Sequence, residues 1–317
     1  MEQLGQMEDW LAATVASDSP AVRFTSCFPF VESTLLVTPP RNLWPPPPSS
    51  RVRWKGARFV PLAVAEKLLK ETDGRLKEDE GWVVDSASEC LLPPPKRGKA
   101  LVPFRVTVRR TAAVDRFTEV AGEPSATACL EFSAGSGLWT CAAFSSEESR
   151  ERWLGPVKAA FRFLADSGFG GQRSRGWGRA ETPEFREGAF PELLLSGPTQ
   201  IQPPAPTTNE EGDSTVESVP VYETGYWLLS MFRPADNDAV DWTRGAYSVV
   251  ERRGRVESRS SSGGLKKSVR MVTEGSVVLA PEPPNGSAAD VAPEGVAHPV
   301  YRSGFAVSIP ISWRVVA

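Results

Sequence analysis

Twelve residues near the middle of the chain combine glycine and arginine in a pattern that suits anion binding. Residues 168–179 read Gly-Phe-Gly-Gly-Gln-Arg-Ser-Arg-Gly-Trp-Gly-Arg, with five glycines and three arginines. Glycine allows positive φ and close approach to the main chain, and each guanidinium presents a planar fork of donors to phosphate. The stretch predicts a surface that binds phosphate, although composition leaves a merely solvated loop open as the alternative.

The usual mononucleotide motifs do not fit this stretch. A P-loop places Lys directly after its second glycine, whereas Trp177 follows Gly176 here. Upstream, residues 145–148 resemble a capping box, and apolar residues then recur at helical spacing, with a break at the Gly-Pro pair 155–156, until a stop near Gly168. Downstream, residues 180–185 predict an edge strand. The order helix, glycine loop and strand favours an extended polyanion over a mononucleotide.

Length and composition indicate a globular protein. The chain has 317 residues, enough for two domains, of which 40% are hydrophobic and 24% charged. No apolar run approaches membrane-spanning length and the N-terminus lacks a signal peptide, so we expect a cytoplasmic protein without membrane contact. The cysteines lack C-x-x-C spacing, which predicts buried thiols rather than a disulfide or zinc framework. No metal or cofactor is expected.

Catalytic side chains are sparse. His298 is the one histidine in the sequence, so two-histidine metal motifs are excluded and any histidine mechanism would have to use this residue. The glutamate pairs at 147–148 and 210–211 fit a helix N-terminus and a linker. We therefore predict no catalytic constellation and a protein that is not an enzyme.

Charge is distributed unevenly along the chain. The formal net charge is −3, yet residues 209–217 alone carry four acidic side chains. Residues 251–270 carry seven basic and two acidic side chains, a local excess of five positive charges. This basic segment predicts either a solvated hairpin or a second RNA contact.

The first half of the chain mixes helices and strands. A helix is expected after Pro61, and the prolines at 45–48 predict an extended connector. Two apolar pieces within residues 71–100 predict a projecting hairpin or a loop. Alternating apolar residues at 102–108 predict a strand, and a second hairpin is expected over 128–144. Three arginines lie at or just beyond the end of the 102–108 strand: Arg109, Arg110 and Arg116.

The second half of the chain is mostly strands. Residues 196–220, rich in Pro and Thr with an acidic run, predict an interdomain linker. The following segments predict strands: 226–232, 247–251, 256–259, 268–273, 276–279 and 305–311. Two β-rich halves with few helices suggest two α+β units.

Residues 169–179 resemble the glycine-rich loop of RAMP proteins, the RRM-like subunits of CRISPR effector complexes. More narrowly, the order of segments along most of the chain resembles the type III-A Csm-complex subunit that holds the 5′ end of the guide RNA. The segments that support this resemblance are 24–30, 114–118, 274–278 and 298–305.

The resemblance implies an α+β protein of two ferredoxin-like (RRM-like) domains. Their expected bounds are 1–195, with the glycine-rich loop and a thumb, and 221–317, joined by the linker at 196–220. Family members usually begin with a strand and a helix before the segment that corresponds to 24–30. Only a short stretch precedes that segment here, so the first domain is expected to lack its first strand and helix.

The resemblance also implies a function in antiviral defence. It predicts binding of the crRNA 5′ handle, contacts with the large palm-domain subunit and a backbone RAMP subunit, and contact with target RNA through the guide. A projecting thumb interrupts the guide–target duplex in such subunits, and residues 71–100 are its candidate. The expected RNA-binding residues are Gly170, Gly171, Arg173, Ser174, Arg175, Gly176, Trp177, Gly178 and Arg179, with Arg109, Arg110 and Arg116.

Physical chemistry assigns these residues their roles. The loop arginines neutralise phosphate, the glycines permit close approach, and Trp177 or Phe169 either stacks on a base or anchors the loop in the core. The alternatives are a RAMP endoribonuclease that uses His298, an architectural subunit with little RNA affinity, and the corresponding 5′-handle subunit of a Cmr complex.

Overall fold

The computed structural model describes residues 1, 5–17, 19–46, 54–70, 81–94, 101–120, 122–200, 221–257, 262–296 and 298–315. Their α-helices are α1 (Met7–Thr14), α2 (Leu62–Lys70) and α3 (Glu147–Ser167). Their strands in the first part of the chain are β1 (Val22–Phe24), β2 (Phe28–Val31), β3 (Thr34–Val37), β4 (Val60–Pro61), β5 (Val83–Asp85), β6 (Cys90–Leu92), β7 (Phe104–Thr111), β8 (Ser125–Phe132), β9 (Ser136–Trp139) and β10 (Ala142–Phe144).

The second part of the described chain consists of strands: β11 (Tyr222–Leu228), β12 (Asp241–Ala246), β13 (Val249–Arg252), β14 (Arg255–Glu257), β15 (Ser262–Leu265), β16 (Val269–Val272), β17 (Val277–Leu279), β18 (Ala289–Asp290), β19 (Tyr301–Arg302) and β20 (Ser308–Arg314). Helices and antiparallel sheets together confirm the mixed α and β class that the sequence predicts.

The chain forms two compact units. We call Cys27–Thr140 the inserted unit, and Met1–Ser26 together with Cys141–Ala317 the terminal unit. The predicted domain bounds on either side of a linker at 196–220 remain a prediction, and residues 201–220 lie outside the described residues.

The inserted unit is built on a four-stranded antiparallel sheet in the order β4-β3-β2-β9. Phe28 of β2 lies opposite Trp139 of β9, and the indole of Trp139 donates a 2.8 Å hydrogen bond to the carbonyl of Leu36 in β3. Because Phe28 and Leu36 are fully buried, this bond joins three strands at the centre of the sheet. Helix α2 begins directly after Pro61, as predicted, and buries one apolar face.

Two hairpins follow in the inserted unit, and they differ in exposure. The pair β5–β6 is buried along Cys90–Leu92, within a cluster that includes Val31, Leu36 and Val102. The pair β7–β8 instead forms an exposed ribbon over Phe104–Thr111 and Ser125–Phe132. The hairpin predicted at 128–144 is wrong, because β8 pairs with β7 and β9 pairs with β2.

The N-terminal part of the terminal unit packs two helices against a strand pair. Strands β1 and β10 are antiparallel, and Trp153 and Val157 of α3 are buried with Ala21 and Val22. Trp10 of α1 meets Trp153 edge to face at 5.1 Å between ring centroids. The short N-terminal stretch therefore contributes a helix to this core.

The C-terminal part of the terminal unit is a four-stranded antiparallel sheet in the order β12-β17-β11-β20. Strand β11 is central and is buried from Gly225 to Leu228. All of the predicted strands in this half are confirmed, with ends shifted by a few residues. The tip between β14 and β15, residues 258–261, lies outside the described residues.

One carboxylate organises the loops beside this sheet. Asp238 accepts the backbone N–H groups of Ala235 at 2.7 Å, Asn285 at 2.7 Å and Gly286 at 2.9 Å. Since the last two donors are 47 and 48 residues away in sequence, Asp238 fixes one loop to another. Buried donors of this kind are costly to leave unsatisfied.

We expect Asp238→Ala to lower the free energy of unfolding by about 3 kcal/mol, because three backbone donors lose a charged acceptor. Amide hydrogen exchange at Asn285 and Gly286 is the direct measurement, and both amides should lose protection. Asp236→Ala in the same loop is the control, since Asp236 is exposed. Unchanged protection at both amides in the Asp238 variant would contradict this role.

Candidate nucleic-acid interface

Helix α3 positions the glycine loop, which we define as residues 168–179. The hydroxyl of Ser146 accepts the backbone N–H of Ser149 at 3.1 Å, so the helix begins one residue later than the predicted capping box. The helix continues through Pro156, where the sequence predicts a break, and ends at Gly168 as predicted. The N–H of Gly168 donates to the carbonyl of Leu164 at 2.8 Å.

The two ends of the glycine loop lie against each other. The N–H of Phe169 donates to the carbonyl of Gly178 at 3.3 Å. A Cβ added to Gly178 would lie 2.0 Å from the carbonyl oxygen of Phe169, and one added to Gly168 would lie 2.5 Å from that of Trp177. Both glycines have positive φ. They are required because no other residue permits this approach of main chain to main chain.

The apex of the loop is tight and open to solvent. A 3-10 turn spans Arg173–Arg175, preceded by Gln172 at φ 61° and followed by Gly176 at φ 80°. A Cβ added to Gly170, Gly171 or Gly176 would meet nothing within 4 Å. These three glycines leave room beside the main chain for a ligand, whereas Gly168 and Gly178 close the loop.

The structure brings the predicted loop residues together on one exposed apex. Arg173, Ser174, Arg175 and Arg179 are exposed. Trp177 is half-buried, which fits partial anchoring, while Phe169 retains 46% of its surface. Guanidinium groups around open main chain can donate to the oxygens of successive phosphates. The strand predicted at 180–185 is wrong: this stretch is irregular, and the N–H of Ala180 donates to Ala165 in α3 instead.

The other predicted arginines lie on the β7–β8 ribbon of the inserted unit. Arg109 and Arg110 occupy opposite faces of β7, and Arg116 is exposed in the connecting turn. Arg109 is 3.4 Å from the carboxylate of Glu131 across the ribbon, with both side chains more than half exposed. These residues form a second surface that we describe separately from the glycine loop.

Sequence reasoning missed Phe117 at the tip of this ribbon. Its side chain is 100% exposed. Asp115 holds the turn by accepting the N–H of Phe117 at 2.8 Å, and this bond lowers the pKa of the Asp115 carboxyl below its ordinary value. The signal was available, because Asp favours turns in which its side chain accepts the backbone N–H two residues further on. In the candidate thumb at 71–100, β6 is buried while Val83 of β5 is exposed, and residues 71–80 and 95–100 lie outside the described residues, so this assignment stays a prediction.

The remaining titratable groups show no assembled catalytic site among the described residues. His298 is exposed, with Nδ1 3.1 Å from the carbonyl oxygen of Pro299. Burial raises the pKa of Cys90 and of Cys141 to about 11, but Cys27 is exposed, contrary to the prediction of buried thiols. No group of three or more His, Cys, Asp or Glu side chains suitable for a metal occurs in the described ranges. No described helix is both long and apolar enough to cross a membrane.

The family model of the CRISPR Csm4 C-terminal domain matches residues 222–311. Residues 222–311 are therefore similar to the Csm4 C-terminal domain, which confirms the resemblance drawn from the sequence.

Solved structures share this fold at low sequence identity. A chain of the Csm3–Csm4 subcomplex in the type III-A CRISPR-Cas interference complex aligns with a TM-score of 0.56 and 15% identity, over 98% of this chain and 87% of that one. A chain of the Csm1–Csm4 cassette in complex with pppApA aligns with a TM-score of 0.49 and 16% identity, over 97% and 84%. None of the curated proteins matches the chain in sequence.

The two classes of loop glycine predict opposite effects of substitution. Gly178→Ala should open the loop, because Cβ would overlap the carbonyl of Phe169 at a positive φ. We expect a local cost of roughly 2 kcal/mol or more and loss of hydrogen-exchange protection at the Phe169 amide. Gly171→Ala is the matched control and should leave that amide protected. Equal protection in the two variants would contradict the closed geometry.

Proposed function

We propose that the chain is a non-catalytic crRNA-binding subunit that holds the 5′ handle of the guide. The observation that carries this proposal is the closed glycine loop, which presents exposed Arg173 and Arg175 at its apex beside open glycine main chain, with Arg179 exposed at its closing end. Single-stranded RNA is recognised through its phosphates, its 2′-hydroxyls and stacking of splayed bases. The loop supplies guanidinium donors for the phosphates, and Phe169 supplies an exposed aromatic face.

The proposal includes two protein partners. The similar solved structures contain Csm4 together with Csm3 or with Csm1. We propose that this chain likewise contacts the large palm-domain subunit and a backbone RAMP subunit, and reaches target RNA through the guide.

The proposed organisation is two ferredoxin-like domains. Support comes from the C-terminal sheet, in which β11, β12, β17 and β20 serve as first to fourth strands in the order second-third-first-fourth. This is the antiparallel arrangement of a ferredoxin-like sheet. The described residues of 221–315 contain no α-helix, so loops and small ribbons cover this sheet where a ferredoxin-like domain places helices.

We propose that the β7–β8 ribbon, rather than residues 71–100, is the thumb. The ribbon pairs eight residues of each strand, and Val106, Val108 and Leu130 remain more than half exposed. Phe117 at its tip has no cover from the described residues and can enter a base stack. A wedge of this kind would interrupt a guide–target duplex.

An endoribonuclease remains the alternative function. It requires His298 as acid or base; this side chain is exposed, and its Nδ1 lies 3.1 Å from the carbonyl oxygen of Pro299. Metal-independent cleavage of repeat RNA that disappears in His298→Ala would replace the proposal.

The loop arginines predict the salt dependence of handle binding. Arg173→Ala with Arg175→Ala should weaken binding of a repeat-derived 5′-handle RNA, and should flatten the slope of log affinity against log salt by about 1.4, from about 0.7 per phosphate contact on a single strand. The control is Arg152→Ala with Arg244→Ala, which removes two arginines already paired with Asp9 and Glu223. An unchanged slope in the loop variant would remove the loop from the contact.

The ribbon tip predicts a stacking contact. Phe117→Ala should weaken binding of a guide–target duplex roughly fivefold to a hundredfold, since stacking on an aromatic ring is worth about 1–3 kcal/mol per base. A target strand labelled with 2-aminopurine at the interrupted step reports the same event as a change in fluorescence. Val120→Ala, an exposed apolar residue of the same turn, is the control. Identical fluorescence in Phe117→Ala and the parent protein would exclude Phe117 as the wedge.

A further inference from the structure

A second positive surface lies in the terminal unit, outside the glycine loop. We call it the basic patch, and its members are Arg252, Arg253, Arg255, Lys266, Lys267, Arg270 and Arg302. Backbone pairing fixes their positions: Arg252 lies opposite Val269 in the β13–β16 ladder, and Arg255 lies opposite Leu265 in the β14–β15 ladder. The sequence predicts either a solvated hairpin or an RNA contact here, and the local geometry distinguishes the two.

Two cationic side chains converge on one glycine. The N–H of Lys266 donates to the carbonyl of Gly254 at 2.8 Å. A Cβ added to Gly254 would lie 3.5 Å from Nη2 of Arg302 and 3.8 Å from Cδ of Lys266. The guanidinium of Arg302 and the aliphatic stem of Lys266 therefore flank this glycine. Here the fold holds an arginine and a lysine beside the same stretch of bare main chain.

The guanidinium of Arg302 is incompletely satisfied. Its Nε is buried and has no hydrogen-bond partner among the described residues. The residue is fixed in place by β19, where it pairs with Ala289 of β18. A guanidinium with an unsatisfied donor favours a ligand whose oxygen atoms accept from its other nitrogens, and Nη2 lies beside Gly254.

The neighbouring carboxylates interact with other groups than Arg302 and Lys266. Glu251 accepts Nη2 of Arg253 at 2.8 Å. Asp290 accepts the backbone N–H groups of Ala292 and Val300, which hold the pKa of its carboxyl below the ordinary value. Within the described part of the chain, neither Arg302 nor Lys266 has a carboxylate at ion-pair distance. The positive charges of these two side chains are therefore not neutralised by an ion pair among the described residues.

We infer that the basic patch is a second RNA-binding site, in which a backbone phosphate of single-stranded RNA lies between Arg302 and Lys266. The patch follows strands along an exposed surface, so an extended polyanion matches it better than a compact anion. Exposed Lys267 and Arg270 continue the cationic line, and Tyr301, next to Arg302, is 41% exposed and can stack on a base. This inference does not depend on the glycine loop.

Salt-dependent binding of the full chain to a fluorescein-labelled oligouridylate tests the inference. Lys266→Ser with Arg302→Gln should flatten the slope of log affinity against log salt by about 1.4, corresponding to two lost phosphate contacts. The loss should be uniform across RNA sequences, because phosphate contacts carry no base preference. Arg152→Gln with Arg244→Gln changes the net charge equally and should leave the slope unchanged, since both arginines are paired with carboxylates.

Thermal unfolding of each variant shows whether a change reflects lost folding. If Arg302→Gln unfolds the chain, a second double variant, Lys267→Ser with Arg270→Gln, tests the same patch through exposed residues only. If both patch variants keep the slope of log affinity against log salt of the unsubstituted chain, the inference is overturned, and the proposed loop site is unaffected. A flattened slope in the patch variants with a parental slope in the loop variants would reject the loop site instead. Absence of oligouridylate binding by the parent chain at low salt would overturn both.

Discussion

The glycine loop depends on one steric constraint, the approach of Phe169 to Gly178. At this contact a carbonyl oxygen occupies the space where any side chain would begin. The backbone hydrogen bond from Ala180 to Ala165 then attaches the end of the loop to α3. Because both ends are held to the same helix, the arginines at the apex project from a short, closed segment. Such closure reduces the conformational entropy that a ligand would otherwise have to remove.

Local sequence signals predicted the helix that supports this site. Ser and Glu before a helical repeat, and a glycine at the end, mark α3 within one residue at each end. The predicted break at Pro156 failed because packing outweighs propensity: Trp153 and Val157, on either side of the proline, are both buried. The five loop glycines are also evident from the sequence. The sequence does not show, however, which two of them close the loop and which three leave space beside the main chain.

Strand pairing could not be predicted from the sequence. The turn at 133–136 exists, since Ser136 donates its backbone N–H to the carbonyl of Ser133 at 3.1 Å. The strands on either side of it nevertheless pair with distant partners, β7 and β2. Local turn chemistry does not decide between such partners, because the choice depends on which surface each strand can bury. The same limit applies to the exposure of the two hairpins: both carry apolar residues, and only tertiary packing buries β6 while leaving β7–β8 exposed.

Arginine content also needs the structure before it can be interpreted. Arg150, Arg152 and Arg244 each lie within ion-pair distance of a carboxylate. Exposed ion pairs of this kind are weak, and we expect these arginines to contribute little to anion binding. Arg175 and Arg179 have no such partner among the described residues. At physiological salt, screening reduces the interaction between exposed charges that are more than about 8 Å apart. The net charge of −3 for the whole chain therefore does not determine the electrostatic potential at the loop. Arginine content alone therefore does not predict a phosphate site, because the carboxylates that the fold places beside each guanidinium group set its local charge.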